Sequence, residues 1–167
     1  NGCTASPRGA GEHSTGALMV IAEAPKHQSG SLVFGRLDKS KQVENGKKHG
    51  DKPTKVAGVF QTISFAQTAL RANAMIVRSD ASSVVVGSAQ KSGKEQTGLL
   101  MALDLDGKQL WTQQPKAGNK DTFFDIAARS DKELIVGGVA GTNTIAHRSW
   151  LAAFDGKGKQ LWSRIPP

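Results

Sequence analysis

The stretch DLDGKQLW, Asp104–Trp111, returns as DGKGKQLW at Asp155–Trp162. The five letters GKQLW, Gly107–Trp111 and Gly158–Trp162, stand 51 residues apart. The same offset carries Arg78-Ser79-Asp80 onto Arg129-Ser130-Asp131, Gly87 onto Gly138 and Ala89 onto Ala140. It carries Leu100 onto Leu151, Ala102 onto Ala153 and Pro115 onto Pro166, with Val84 against Ile135 and Leu103 against Phe154 as conservative pairs. No gap is needed from residue 76 to the end, and about a third of the aligned positions are identical. Chance does not hold one offset across separate clusters. A period of this size is the mark of a propeller or solenoid repeat.

A third, degenerate copy lies upstream. ALMVIAEA (17–24) aligns with SSVVVGSA (82–89), and SLVFGRLDKSKQV (31–43) with GLLMALDLDGKQL (98–110). After Val43 the likeness ends, because ENGKKHGDKPTK carries no Trp. The expected organisation is a flexible N-terminal segment, 1–16, followed by a repeat domain, 17–167. Unit 1 covers about 17–70 with an insertion or degenerate last strand at 44–70. Unit 2 covers about 71–120 and unit 3 about 121–167.

Each unit reads as four short strands. In unit 3 these are TFFDIAAR, ELIVGGV, SWLAAFD and KQLWSRI, broken by SDK, GTNT and DGKG, all turn-forming compositions. Runs such as SVVVGSA and LIVGGVA are almost wholly apolar, as a strand covered on both faces requires. Four strands in about 50 residues is one blade of a β-propeller. The expected fold is therefore all-β, built of four-stranded antiparallel blades. Within each unit, Gly107 and Gly158 admit the left-handed backbone of a tight turn. Asp104 and Asp155 close that turn through side-chain hydrogen bonds. Trp111 and Trp162 are expected to pack one blade on the next, each worth about 2–3 kcal/mol when buried.

MALDLDGKQLW and AAFDGKGKQLW resemble the repeat of quinoprotein (PQQ)-like β-propellers, whose blades often read Ala-x-Asp, a Gly-Lys turn, then Trp. The resemblance covers units 2 and 3 well and unit 1 weakly. It departs where the family's usual Thr before the turn Gly is Asp106 or Lys157 here. Such blades occur in pyrroloquinoline-quinone dehydrogenases and in cofactor-free propellers, among them an outer-membrane assembly lipoprotein. The resemblance thus implies a blade, not a chemistry. About three units fall short of the four to eight blades of closed propellers. The expectation is an incomplete ring, completed by another chain or by absent sequence.

Composition bounds the rest. The 167 residues carry a net charge of +8, 22% charged residues, 19 Gly and no Tyr, which suits one ordered, turn-rich domain. The positive charge concentrates in residues 37–55, where Lys47, Lys48, His49, Lys52 and Lys55 form the candidate partner-binding segment. That stretch has no Arg and no aromatic residue, so it lacks the stacking and bidentate groups of nucleic-acid surfaces. The single Cys3 follows Asn1-Gly2, an order similar to a bacterial lipoprotein site. The hydrophobic leader is missing, and Asn1-Gly2 would have been removed on maturation. A free thiol or a disulfide to another chain are the other readings. The longest apolar run, GALMVIAEA at 16–24, is far below the ~20 residues of a membrane span, so the chain is expected to be soluble.

No catalytic residue, metal site or cofactor site is expected. His13, His27, His49 and His147 fall in no ligand spacing. Ser79 and Ser130 lie in a repeated turn, where a nucleophile would not recur once per blade. Asp104-x-Asp106-Gly107 resembles the start of a calcium loop, but its copy keeps one carboxylate; calcium is the one metal the pattern would suit. The expected function is a non-catalytic protein-binding or scaffold propeller of an extracytoplasmic assembly, whether periplasmic, outer-membrane-associated or secreted. The alternatives are a fragment or subunit of a quinoprotein-type propeller enzyme, and a polyanion- or sugar-binding propeller using the basic loop.

Overall fold

The computed structural model describes residues 7–12, 17–23, 31–38, 58–66, 68–141 and 147–166. Among them there is no helix. Twelve strands form three four-stranded antiparallel sheets, each in sequence order. The first holds β1 (Pro7–Glu12), β2 (Ala17–Glu23), β3 (Leu32–Asp38) and β4 (Gly58–Ile63). The second holds β5 (Thr68–Val77), β6 (Ser83–Lys91), β7 (Gln96–Leu103) and β8 (Gln109–Gln113). The third holds β9 (Thr122–Ser130), β10 (Glu133–Gly141), β11 (His147–Asp155) and β12 (Gln160–Arg164).

The second and third sheets repeat each other residue for residue. Val84, Ala102 and Trp111 lie side by side across β6, β7 and β8. Ile135, Ala153 and Trp162 do the same across β10, β11 and β12. Two irregularities repeat as well. One bulge places Asn73 between Ala72 and Ala74, and its copy places Phe124 between Phe123 and Asp125. A second register shift falls between Ala102 and Leu103 and recurs between Ala153 and Phe154. Bulges kink a strand and re-aim its side chains, so their recurrence fixes the same curvature in both sheets.

The sheets stack in an open row and do not close into a ring. The second sheet is the middle layer: β1, β2 and β3 meet it at β5, and β9 meets it at β5, β6 and β7. Strand alternation then explains the consecutive apolar residues Val84–Val86 of β6. Val85 points into the core shared with the first sheet, beside Phe34, Met75 and Met101. Val84 and Val86 point into the core shared with the third, beside Ile126, Leu134 and Trp150. In β10 the same composition meets a different environment. Leu134 and Val136 are buried, while Ile135 and Val139 are half-buried.

The first unit differs from the sequence expectation. Pro7–Glu12, within the segment 1–16 expected to be flexible, is β1 and pairs with β2. A ladder is held by backbone groups, so PRGAGE forms a strand despite its composition. Its Pro occupies the first position of an edge strand, where a missing N–H is tolerated. Of the two expectations for 44–70, an insertion or a degenerate last strand, the second fits residues 58–63, which are β4, the last strand of the first sheet; residues 68–70 open β5. The second sheet therefore begins at Thr68 and the third at Thr122.

Candidate functional site

The repeated residues converge on the seams between sheets. In the turn after β7, Asp104 Oδ1 accepts from the amides of Asp106 (3.0 Å) and Lys108 (2.8 Å). Gly107 N–H donates to Asp104 O at 3.0 Å, and Gly107 takes φ 81°. After β11, Asp155 Oδ1 accepts from Lys157 (2.9 Å) and Lys159 (2.8 Å). Gly158 donates to Asp155 O at 3.0 Å with φ 84°. The Asp closes the turn and the Gly supplies its left-handed residue.

Each turn glycine also receives a ring from the preceding sheet. A Cβ on Gly158 would stand 2.7 Å from Trp111 Cε3. A Cβ on Gly107 would stand 2.4 Å from Phe34 Cδ1. The expected packing of Trp111 on the next unit is thus present. The first sheet, which has no corresponding Trp, uses Phe34 from β3 instead. Trp162 stands in the register of Trp111 but is 37% exposed, because no described sheet follows the third.

Polar links reinforce the seams. Arg78 donates from Nη2 to Asp131 O (2.8 Å) and from Nη1 to Gly156 O (3.2 Å), joining the second sheet to the third. Asn73, the bulge residue of β5, donates from Nδ2 to Phe123 O at 2.7 Å. Gln96 donates to Thr122 Oγ1 (2.6 Å) and Asp121 O (3.0 Å). Asp121 is fully buried. Its carboxylate accepts from Ala117, Gly118 and Gly141 amides, tying the connection between these sheets to β10. Arg36 pairs with Asp106 at 2.8 Å between the first and second sheets. The sequence carried a signal for Arg78 in its recurrence as Arg129. Asn73, Gln96 and Asp121 carried none, because none of them is repeated.

Several residues weighed for chemistry have structural partners. Asp80 Oδ1 accepts from Ser82 Oγ (2.5 Å) and Ser82 N (3.0 Å), with Arg78 at 4.0 Å from its carboxylate. The Ser82 hydroxyl, and then its amide and the Arg78 charge, hold the Asp80 carboxyl below its ordinary value against the opposing effect of desolvation. Ser130 Oγ accepts from Lys132 N at 3.2 Å, a turn contact. Asp104 and Asp106, the carboxylates of the calcium-like pattern, are engaged with turn amides and with Arg36. Among the described residues no three His, Cys, Asp or Glu side chains cluster as a metal site would require. His147 is exposed on β11. Lys47, Lys48, His49, Lys52 and Lys55 lie outside the described residues, as do Cys3, His13 and His27.

No helix among the described residues is long and apolar enough to cross a membrane. In comparisons with known proteins, the chain matches no family model, and no curated protein matches it significantly.

Proposed function

We propose that this chain is a non-catalytic, protein-binding or scaffold module made of quinoprotein-like propeller blades and serving an extracytoplasmic assembly. One observation carries the reading. Residues repeated at 51-residue spacing serve the architecture: Trp111 on Gly158 and Arg78 on the carbonyls of Asp131 and Gly156 join two sheets, and Asp104 and Asp155 close their turns. A repeat whose shared residues are occupied in this way supplies a surface rather than a reaction centre. Differential absorbance spectra on adding pyrroloquinoline quinone and calcium, followed by dye-linked oxidation assays with alcohols and sugars, test it. The scaffold reading expects neither bound quinone nor turnover. Stoichiometric quinone binding with dye reduction would replace it with the enzyme reading.

A further inference from the structure

We infer that the outer face of the third sheet receives a further four-stranded blade, one that carries the Asp-x-x-Gly-Lys turn of this repeat. The inference rests on the blade reading above and names the partner of that scaffold.

The 51-residue offset maps the seam between the second and third sheets onto this outer face. Val84, Leu100, Ala102 and Trp111 form the second sheet's side of the seam. Their counterparts on the third sheet are Ile135, Leu151, Ala153 and Trp162, which share one face by strand register. Composition is kept while coverage falls at two positions: Ala153 stays buried, but Ile135 is half-buried and Leu151 exposed. Leu100 is 0% exposed and Leu151 is 43% exposed. The polar link repeats too. Arg78 reaches two carbonyls of the next sheet, whereas its copy Arg129 is 74% exposed and turns back to Glu133 at 3.3 Å. At the bulge, Asn73 donates to the next sheet, and its copy is Phe124, 53% exposed. By contrast, Leu110 and Leu161 are both exposed, so their exposure belongs to the outer strand and not to a missing neighbour. Leu151, Trp162 and Phe124 are large apolar side chains left exposed on the third sheet, as interface residues are before a partner covers them.

The seam geometry selects the occupant. Trp111 and Phe34 each lie where a side chain on the facing turn residue would collide. The partner of Trp162 must therefore present a glycine in that turn. The first sheet of a second copy does not supply one, since its corresponding stretch, Asp38–Gln42, reads DKSKQ. Units 2 and 3 do, with DLDGK and DGKGK. The fitting partner is a blade of the latter kind, and a head-to-tail dimer of this chain is not.

The test appends a blade in phase. A copy of residues 117–167 placed directly after Pro167 keeps the period, and so does a copy of residues 66–116. Acrylamide quenching from Trp162 is read as the difference between each protein and its Trp162→Phe variant. At least one extension is expected to lower that quenching, in a monomer, to the level that Trp111 shows in the unextended chain, where it is half-buried in the equivalent seam. The same extension with Gly158→Val, or Gly107→Val, in the appended copy is expected to restore it. Quenching that persists with both extensions overturns the inference, as does protection that survives the valine. Concentration-dependent protection of Trp162 in the unextended chain would assign the face to a second copy instead and overturn it equally. Quinone binding in the spectral test would displace the scaffold reading without touching this outcome.

Discussion

At the residue scale, the turn glycines serve two purposes that substitution can separate. Gly93 takes φ 67° with open space where a Cβ would stand, while Gly158 takes φ 84° with Trp111 against it. Gly93→Ala meets the left-handed backbone penalty alone, about 1 kcal/mol. Gly158→Ala adds displacement of a packed indole, and its expected cost is about 2–4 kcal/mol. Urea unfolding of the two variants reads the difference, and equal losses would show that Trp111 does not depend on the bare glycine. Asp80 gives a pH-dependent counterpart. Its folded-state pKa is lowered, chiefly by the Ser82 hydroxyl. Its contribution is therefore complete above the unfolded value of about 3.9 and fades as pH falls through the lower folded value. The stability gap between the protein and Asp80→Asn should stay level from about pH 5 to 8 and shrink below about pH 4. A gap that is unchanged at about pH 3 would contradict the assignment.

At the element scale, neighbours decide what a strand's composition means. β6 and β10 read alike in sequence, as SVVVGSA and LIVGGVA, and both suggest burial on two faces. Among the described residues β6 has a sheet on each side, so Val84 and Val85 are both fully buried, whereas β10 meets a described sheet on one face. The chain's periodicity shows which residues pair and turn, because the turn glycines, the closing aspartates and the seam tryptophans recur. It does not show how many sheets stand beside a given one. It also hides β1, whose pairing rests on backbone groups that PRGAGE does not advertise, and leaves β4 as one of two readings of 44–70. The seam donors Asn73 and Gln96 were illegible for a related reason: their acceptors include backbone carbonyls of another sheet or of the connection leading to it, which leave no trace in residue identity. The contrast between faces can be measured directly. Leu100→Ala should cost about 3 kcal/mol as a buried truncation, and Leu151→Ala less than about 1 kcal/mol. Comparable losses in denaturant melts would mean that the outer face is covered in solution.

At the scale of the whole molecule, an open row of sheets has a nearest-neighbour energetics that a closed ring lacks. The third sheet meets the second through β9, and its core is shared with Val86, Leu100 and Trp111. The first sheet has a separate core, shared through Phe34 and Leu32 with Val85 and Met101. In such a row, stability is approximately a sum of unit terms and interface terms. Weakening one interface should then release the unit at that end before the rest. Trp111→Ala removes the half-buried ring seated on Gly158, at about 2 kcal/mol, below the cost of truncating a fully buried aromatic. That loss should fall on the third sheet. Hydrogen exchange followed by mass spectrometry should show peptides covering β9–β12 accelerated well beyond those covering β3, β4 and the β5–β6 ladder. The converse substitution, Phe34→Ala, should accelerate the first sheet and leave β10 and β11 near their original rates. Uniform acceleration of all three sheets by either variant would mean that the chain unfolds as one cooperative body, and the separate interface energies inferred from the two cores would have no independent meaning.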